Sequence, residues 1–214
     1  MKKIALLVTL CATLIACSAD KPVSDTRQKV VFETTLGNIT LAIDTESAPL
    51  AANYFLSYID NNSYNGATLY RSAAFDGGDS PQLVQGGILS AALTEKPPIN
   101  AADYGVTSML PEWETTATTG QTHRRGSISL ARDLLATGQV IPEIVLCLRE
   151  IPSMDAGGRS IPDERGFPVI GEVVEGLDIV EAVTQQELNG TTSIAFLNGQ
   201  ILTEPVVITA AYRL

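Results

Sequence analysis

"KVVFETTLGNITLAIDTESAPLAANYFLSYIDNN", Lys29 to Asn62, changes its hydrophobic period half-way along. The first half alternates. Val30 and Phe32 share one face with Val31 and Glu33 on the other, and Ile39, Leu41 and Ile43 alternate with Thr40 and Ala42. A period of two marks a half-buried strand, and Leu36-Gly37-Asn38 supplies turn chemistry between the two runs, so a β-hairpin is predicted. After Ile43 the spacing becomes helical. Ala51, Tyr54, Phe55, Tyr58 and Ile59 make one apolar face. Ser47 is the predicted N-cap, Pro49 falls in the first turn where its missing N–H costs little, and Asn61-Asn62 forms the stop.

Downstream, short apolar runs are separated by Gly, Pro, Asn and Asp. "ATLYRS" (67–72), "LVQGGIL" (83–89), "GSISLAR" (126–132), "EIVLCL" (143–148), "FPVIGEVV" (167–174) and "EPVVITAAYRL" (204–214) read as six further strands. A second helix is predicted in "GLDIVEAVTQQE", where Ile179, Val180 and Val183 share a face. Eight short strands, two helices and no β-α-β alternation point to an antiparallel barrel or sandwich. There is no internal repeat and no second domain boundary.

Upstream, Lys2 and Lys3 precede an apolar stretch from Ile4 to Ile15, the size of a signal-peptide core and too short to span a bilayer. Leu14-Ile15-Ala16-Cys17 resembles the lipobox of bacterial lipoproteins, which implies removal of residues 1–16 and lipidation of Cys17. Ser18, by resemblance to lipoprotein sorting signals, favours the outer membrane. The expected location is therefore the bacterial cell envelope, lipid-anchored and facing the periplasm, since a multiply acylated cysteine anchors stably. Residues 17–28 read as a polar tether, and 29–214 as the folded domain.

Cysteine use fits that picture. Cys11 lies in the signal and Cys17 is lipidated, which leaves Cys147, in the apolar run "IVLCL", as a buried free thiol. Removing the signal leaves twelve basic against 24 acidic residues, net −12. Such a balance argues against nucleic acid and against docking on anionic lipid, so any membrane association runs through the N-terminal lipid.

Few residues offer covalent or metal chemistry. The single histidine, His123 in "GQTHRRGS", reads as a solvated turn residue. With one His and one core-like Cys, neither a zinc site nor a Ser-His-Asp arrangement has enough parts. "FDGGDS" (75–80) lacks the Lys-Ser/Thr of a phosphate loop and the spaced carboxylates of an EF-hand, and reads as a flexible loop. No metal and no cofactor is expected. Activity must then come from shaped binding and hydrogen bonding.

An ordered set of pieces supplies that activity. "AP" with "NYF" on the first helix, "YNGATLYR", "VQGG", "GSISLAR" and "GEVVEGLDIV" follow one another from about Val30 to the C-terminus. The set resembles the cyclophilin family of peptidyl-prolyl cis–trans isomerases. The resemblance implies a mainly β fold, a closed eight-stranded antiparallel barrel capped by two α-helices, and action on X–Pro bonds of envelope proteins during folding. A monomer is expected, with proline-containing polypeptides as partners. Arg71, in Leu69-Tyr70-Arg71, matches the family's catalytic arginine, and Gln85 the glutamine before Gly-Gly. Leu130-Ala131-Arg132 matches the substrate-groove segment, with Ala131 and Arg132 in it.

The sequence also departs from the family pattern. The loop between Arg71 and Gln85 is long, and Gln82 stands where an aromatic walls the proline pocket, with Leu83 in place of methionine. Glu143 replaces a glutamine and Val145 the central phenylalanine. Met154, in Ser153-Met154-Asp155, and Phe167 complete the implied pocket. A subset of bacterial cyclophilins shares the long loop and a segment similar to Asp155-Ala156-Gly157-Gly158. The thinned pocket implies a weak or selective isomerase. Its alternative is a non-catalytic peptide-binding or chaperone module, or an envelope scaffold that works through other surfaces.

Overall fold

The computed structural model describes residues 25–76, 78–96, 99–158 and 163–214. The expected signal peptide, Cys17 and the expected tether up to Ser24 lie outside the described residues. The last tether residues join the domain. Arg27 donates to Glu172 at 2.7 Å, and the first strand begins at Gln28, one residue before the expected boundary.

All eight predicted strands form. They are β1 (Gln28–Thr34), β2 (Gly37–Ile43), β3 (Thr68–Ala73), β4 (Leu83–Gly87), β5 (Ser127–Arg132), β6 (Val140–Cys147), β7 (Val169–Glu175) and β8 (Ile201–Arg213). They close into an antiparallel barrel in the order β1-β2-β7-β5-β6-β4-β3-β8. Closure pairs every strand on both sides, which removes exposed edges. The barrel interior is apolar: Val30, Phe32, Ile39, Leu41, Leu69, Val84, Ile128, Leu130, Ile144, Leu146 and Ile208 belong to one core.

Helices cover the barrel. α1 (Pro49–Asp60) buries Ala51, Ala52, Phe55, Leu56, Tyr58 and Ile59 against β6, β7 and β8. Its Phe55 ring stands 5.5 Å from that of Tyr64, which is itself 5.6 Å from Phe32, so an aromatic cluster ties the helix to the barrel. α3 (Leu177–Val183) buries Val180 and Val183 beside β2. Between them in the chain lies α2 (Thr116–Thr119), a single turn not expected from the sequence, and the described residues also include four 3₁₀ turns.

Two local expectations are corrected. Thr34 pairs with Gly37, so the hairpin turn is Thr35-Leu36 and not Leu36-Gly37-Asn38. The Thr34 hydroxyl closes it, donating to the Gly37 carbonyl at 2.7 Å and accepting from the Leu36 N–H at 3.2 Å. At the start of α1 the N-cap residue is Ala48, with no side-chain cap of its own. The Glu114 carboxylate caps the helix instead, accepting the N–H groups of Leu50 (2.8 Å) and Ala51 (3.2 Å). Ser47 is occupied elsewhere, its N–H bonded to Asp44 at 2.8 Å.

Candidate active site

The outer face of the β3-β4-β6-β5 part of the barrel carries a second apolar cluster. Strand parity builds it. Val84, Ile144, Leu146 and Leu130 point into the barrel, so their neighbours Leu83, Val145, Cys147 and Ala131 point outward. Ile141, Ile151, Met154 and Phe167 join them.

On β3 the alternation breaks. Leu69 pairs with Gly86 and Arg71 with Gln85, so Tyr70 is an extra residue in the ladder. Such a bulge re-aims side chains. Here Tyr70 and Arg71 both reach the outer face and both hydrogen-bond to Gln85.

The Arg71 guanidinium is held from two sides. Nη1 donates to Gln85 Oε1 at 2.6 Å, while Nε (2.9 Å) and Nη2 (2.6 Å) share Gln200 Oε1. Gln200 is in turn fixed by donating to the Phe196 carbonyl at 2.9 Å. The Phe75 ring centroid lies 5.4 Å from the guanidinium carbon, within cation–π range. A planar fork gripped at three nitrogens is held in a fixed direction.

Beside the fork opens a cavity of ≈ 210 Å³. Every site residue expected from the sequence, Arg71, Gln85, Leu83, Ala131, Arg132, Glu143, Val145, Met154 and Phe167, contributes to its lining. The structure thus brings the whole set together. Their roles differ from one another.

Arg132 lies against the cavity with its charge engaged inside the protein. Nε donates to the Gly138 carbonyl at 2.7 Å, Nη1 to Asp163 and the Gly166 carbonyl at 3.1 Å each, and Nη2 to Asp163. Its guanidinium also lies 4.6 Å from the centre of the Trp113 ring, and Arg165 lies 3.6 Å from it. Trp113, without a role in the sequence reading, is the plate for both arginines.

Glu143 sits beneath the floor, 1% exposed. Its oxygens accept from the Tyr70 hydroxyl (2.9 Å) and the Leu89 N–H (2.6 Å). Desolvation lifts its carboxyl from the ordinary 4.5 to about 7, partly offset by those two bonds.

Gly86 and Gly87 are required by close approach. A Cβ on Gly86 would meet the Thr68 carbonyl oxygen at 2.5 Å, and one on Gly87 would meet Glu143 Oε1 at 2.3 Å. The Gly-Gly pair lets β4 lie against β3 on one side and against the buried carboxylate on the other.

The wall is less thin than the sequence implied. Phe75, carried by the long loop, packs on the outer cluster with Leu89 and Met109. Gln82, the residue in place of an aromatic, accepts the Phe75 backbone N–H through its side chain. The exchange is therefore indirect: a polar residue pins a loop that supplies a ring. Phe75, Tyr70 and Gln200 were missed because their roles depend on a bulge and on chain segments far apart in sequence.

His123 is also corrected. It is buried, with Nδ1 2.7 Å from Asp155 Oδ1, which accepts the His123 N–H as well at 3.0 Å. Its ring meets Phe167 edge-on, centroids 6.4 Å apart. It clasps the segment that presents Met154, whose carbonyl in turn accepts the Phe167 N–H at 2.9 Å. Cys147 is buried as expected, and burial pushes its thiol up to about 12. At pH 7 it stays a neutral thiol.

Comparison with known proteins agrees with this geometry. The family model described as cyclophilin type peptidyl-prolyl cis-trans isomerase/CLD matches residues 29–212. Peptidyl-prolyl cis-trans isomerase A of Dickeya dadantii (strain 3937) is 25% identical over 205 residues, covering 93% of this chain and 92% of that protein. A peptidyl-prolyl cis-trans isomerase of Acinetobacter baylyi is 27% identical over 183 residues, 84% of this chain and 81% of its own length. With the closed barrel, the arginine–glutamine pair and a match across nearly the whole folded part, this chain belongs to the cyclophilin-type peptidyl-prolyl cis-trans isomerase family.

Proposed function

We propose that this isomerase turns X–Pro bonds of extended polypeptides at the Arg71 fork, with the proline ring in the apolar cavity beside it. The reaction twists an amide with a barrier near ~20 kcal/mol, and no bond is made or broken. As the amide twists, the prolyl nitrogen regains its lone pair and becomes an acceptor. Arg71 donates to that nitrogen and to a substrate carbonyl, interactions that strengthen in the twisted state and so lower the barrier. Gln85 holds Arg71 and receives substrate backbone. Leu83, Ala131, Val145, Met154, Phe167 and Phe75 hold the ring. Arg132, engaged with Asp163, fixes the wall near Phe167, and Glu143 supports the floor.

The carrying observation is the guanidinium fixed by two glutamines at the edge of an apolar cavity. Exchange NMR on several X–Pro peptides is the test. Arg71→Ala lowers kcat/KM by about a hundred- to a thousandfold, the usual effect of losing a transition-state donor. Equal exchange with and without the wild-type protein would overturn this reading and leave peptide binding alone.

The clients follow from place. We propose that the chain is a monomer anchored in the envelope through lipid on Cys17, acting on periplasmic chains. The lipobox-like Leu14-Ile15-Ala16-Cys17 supports it. Fatty-acid labelling that persists in Cys17→Ser would sink the anchor.

A further inference from the structure

The hydrogen bonds between Glu143 and Arg71 run in one direction. Arg71 can only donate, so the oxygen of Gln85 must face it, as Oε1 does at 2.6 Å. The amide nitrogen is left for the Tyr70 hydroxyl oxygen, 3.0 Å away. A tyrosine hydroxyl has one proton. With its oxygen accepting from Gln85, that proton goes to Glu143 Oε2 at 2.9 Å. The other carboxylate oxygen accepts the Leu89 N–H at 2.6 Å.

Both oxygens of Glu143 therefore serve as acceptors, which an ionised carboxylate does without strain. A proton on Oε2 would face the Tyr70 proton. The hydroxyl's own proton could then keep a partner only by going to Gln85, and Gln85 would turn its NH₂ toward the Arg71 donors. A proton on Oε1 would face the Leu89 N–H. Tyr70 and Glu143 are 3% and 1% exposed, so water is poorly placed to repair either mismatch.

We infer that Tyr70 and Glu143 are positioning residues for the isomerisation: ionised Glu143 orients the Tyr70 hydroxyl, Tyr70 orients the Gln85 amide, and Gln85 holds Arg71 Nη1. Protonating Glu143 releases one flank of the fork and leaves Gln200 to hold the other. The inference rests on Arg71 as the catalytic group.

The groups around Glu143 leave it as the one that changes charge near neutrality. From β3 it faces Tyr70, from α1 it feels Tyr54, and from the turn after α1 it feels Tyr64. Burial raises all three phenols, so they stay neutral. From the turn after β4 it meets only the Leu89 backbone, and Arg71, beyond Tyr70, stays cationic. Burial places the Glu143 carboxyl at about 7. The relay is complete above that value and is lost as pH falls through it.

The test follows kcat/KM on an X–Pro peptide without titratable side chains, from two units above that value to two below. The wild type rises to a plateau with a midpoint near 7. Tyr70→Phe and Glu143→Gln give flat profiles about ten- to a hundredfold below that plateau, the scale of a misplaced catalytic group. A Glu143→Gln profile that keeps the wild-type rise overturns the inference, and so does a flat wild-type profile.

A second readout needs no activity and no variant. The Nε–H signal of Arg71 in the wild-type chain, observed by NMR, shifts with the same midpoint if the relay exists. A signal that stays still overturns the relay even where isomerisation is fast. A titrating signal without isomerisation upholds the relay and overturns the proposed catalysis alone.

Discussion

Desolvation raises the free energy of a carboxylate relative to its neutral acid, and Glu143 bears that cost inside the protein. Its folded pKa of about 7 lies above the ordinary 4.5. Between those values the folded chain holds a proton that the unfolded chain has released. Glu143 thus contributes stability that is full below 4.5 and lost as pH rises through 7, on the order of a few kcal/mol at about 1.4 kcal/mol per unit. Urea unfolding of the wild type and of Glu143→Gln across that window measures it: the wild type loses stability relative to the variant as pH rises, and a constant difference would show that Glu143 does not titrate there. The direction opposes the catalytic one, since the form that orders Arg71 is the less stable one. Phe75 offers a separate test. Its ring lies on the cavity but is only partly buried, so Phe75→Ala weakens peptide binding about fivefold, equivalent to ~1 kcal/mol of ring contact, with little change in Tm. Arg71 and Gln85 could be named from the sequence because each sits in a short motif. Tyr70, Phe75 and Gln200 could not, because nothing local marks a hydroxyl, a ring or an amide that works through a distant partner.

At the scale of elements, the period-two and helical patterns were legible because each depends on neighbours along the chain. All eight strands and the two principal helices follow from them. The caps and turns were less legible. Ser47 has the chemistry of an N-cap, yet the cap comes from Glu114, far away in sequence, whose carboxylate also complements the positive end of the helix. Glu114→Ala is expected to cost about 1 kcal/mol in chemical denaturation, and an unchanged midpoint would remove Glu114 from that role. The bulge at Tyr70 is the other decisive element. Without it, strict alternation from Leu69 would turn Arg71 into the barrel, and no arginine would face Gln85.

At the scale of the molecule, closure separates a core inside the barrel from an apolar cluster on its outer face, beside which Tyr70, Leu93, Leu197 and Ile201 form a smaller one. Stability rests on these clusters without a disulfide among the described residues, and Cys147 is buried in the outer one. Its thiol, pushed up to about 12, reacts with iodoacetamide only through unfolding. Mass-mapped labelling of the Cys147 peptide should therefore follow the global unfolding curve in urea, and fast labelling of the native chain would contradict this packing. The sequence by itself determined the strands, the two main helices, the acidic balance and the residues of the family motifs. Those properties are written in local spacing and residue type. Only the tertiary structure decided that Glu143 lies under the floor and that Arg132 is spent on Asp163 and Trp113. It also decided that the long loop returns a ring to the pocket and that Arg71 is gripped by Gln200 as well as Gln85. Each of these depends on which distant segments barrel closure brings within a few ångströms, and on the desolvation that follows.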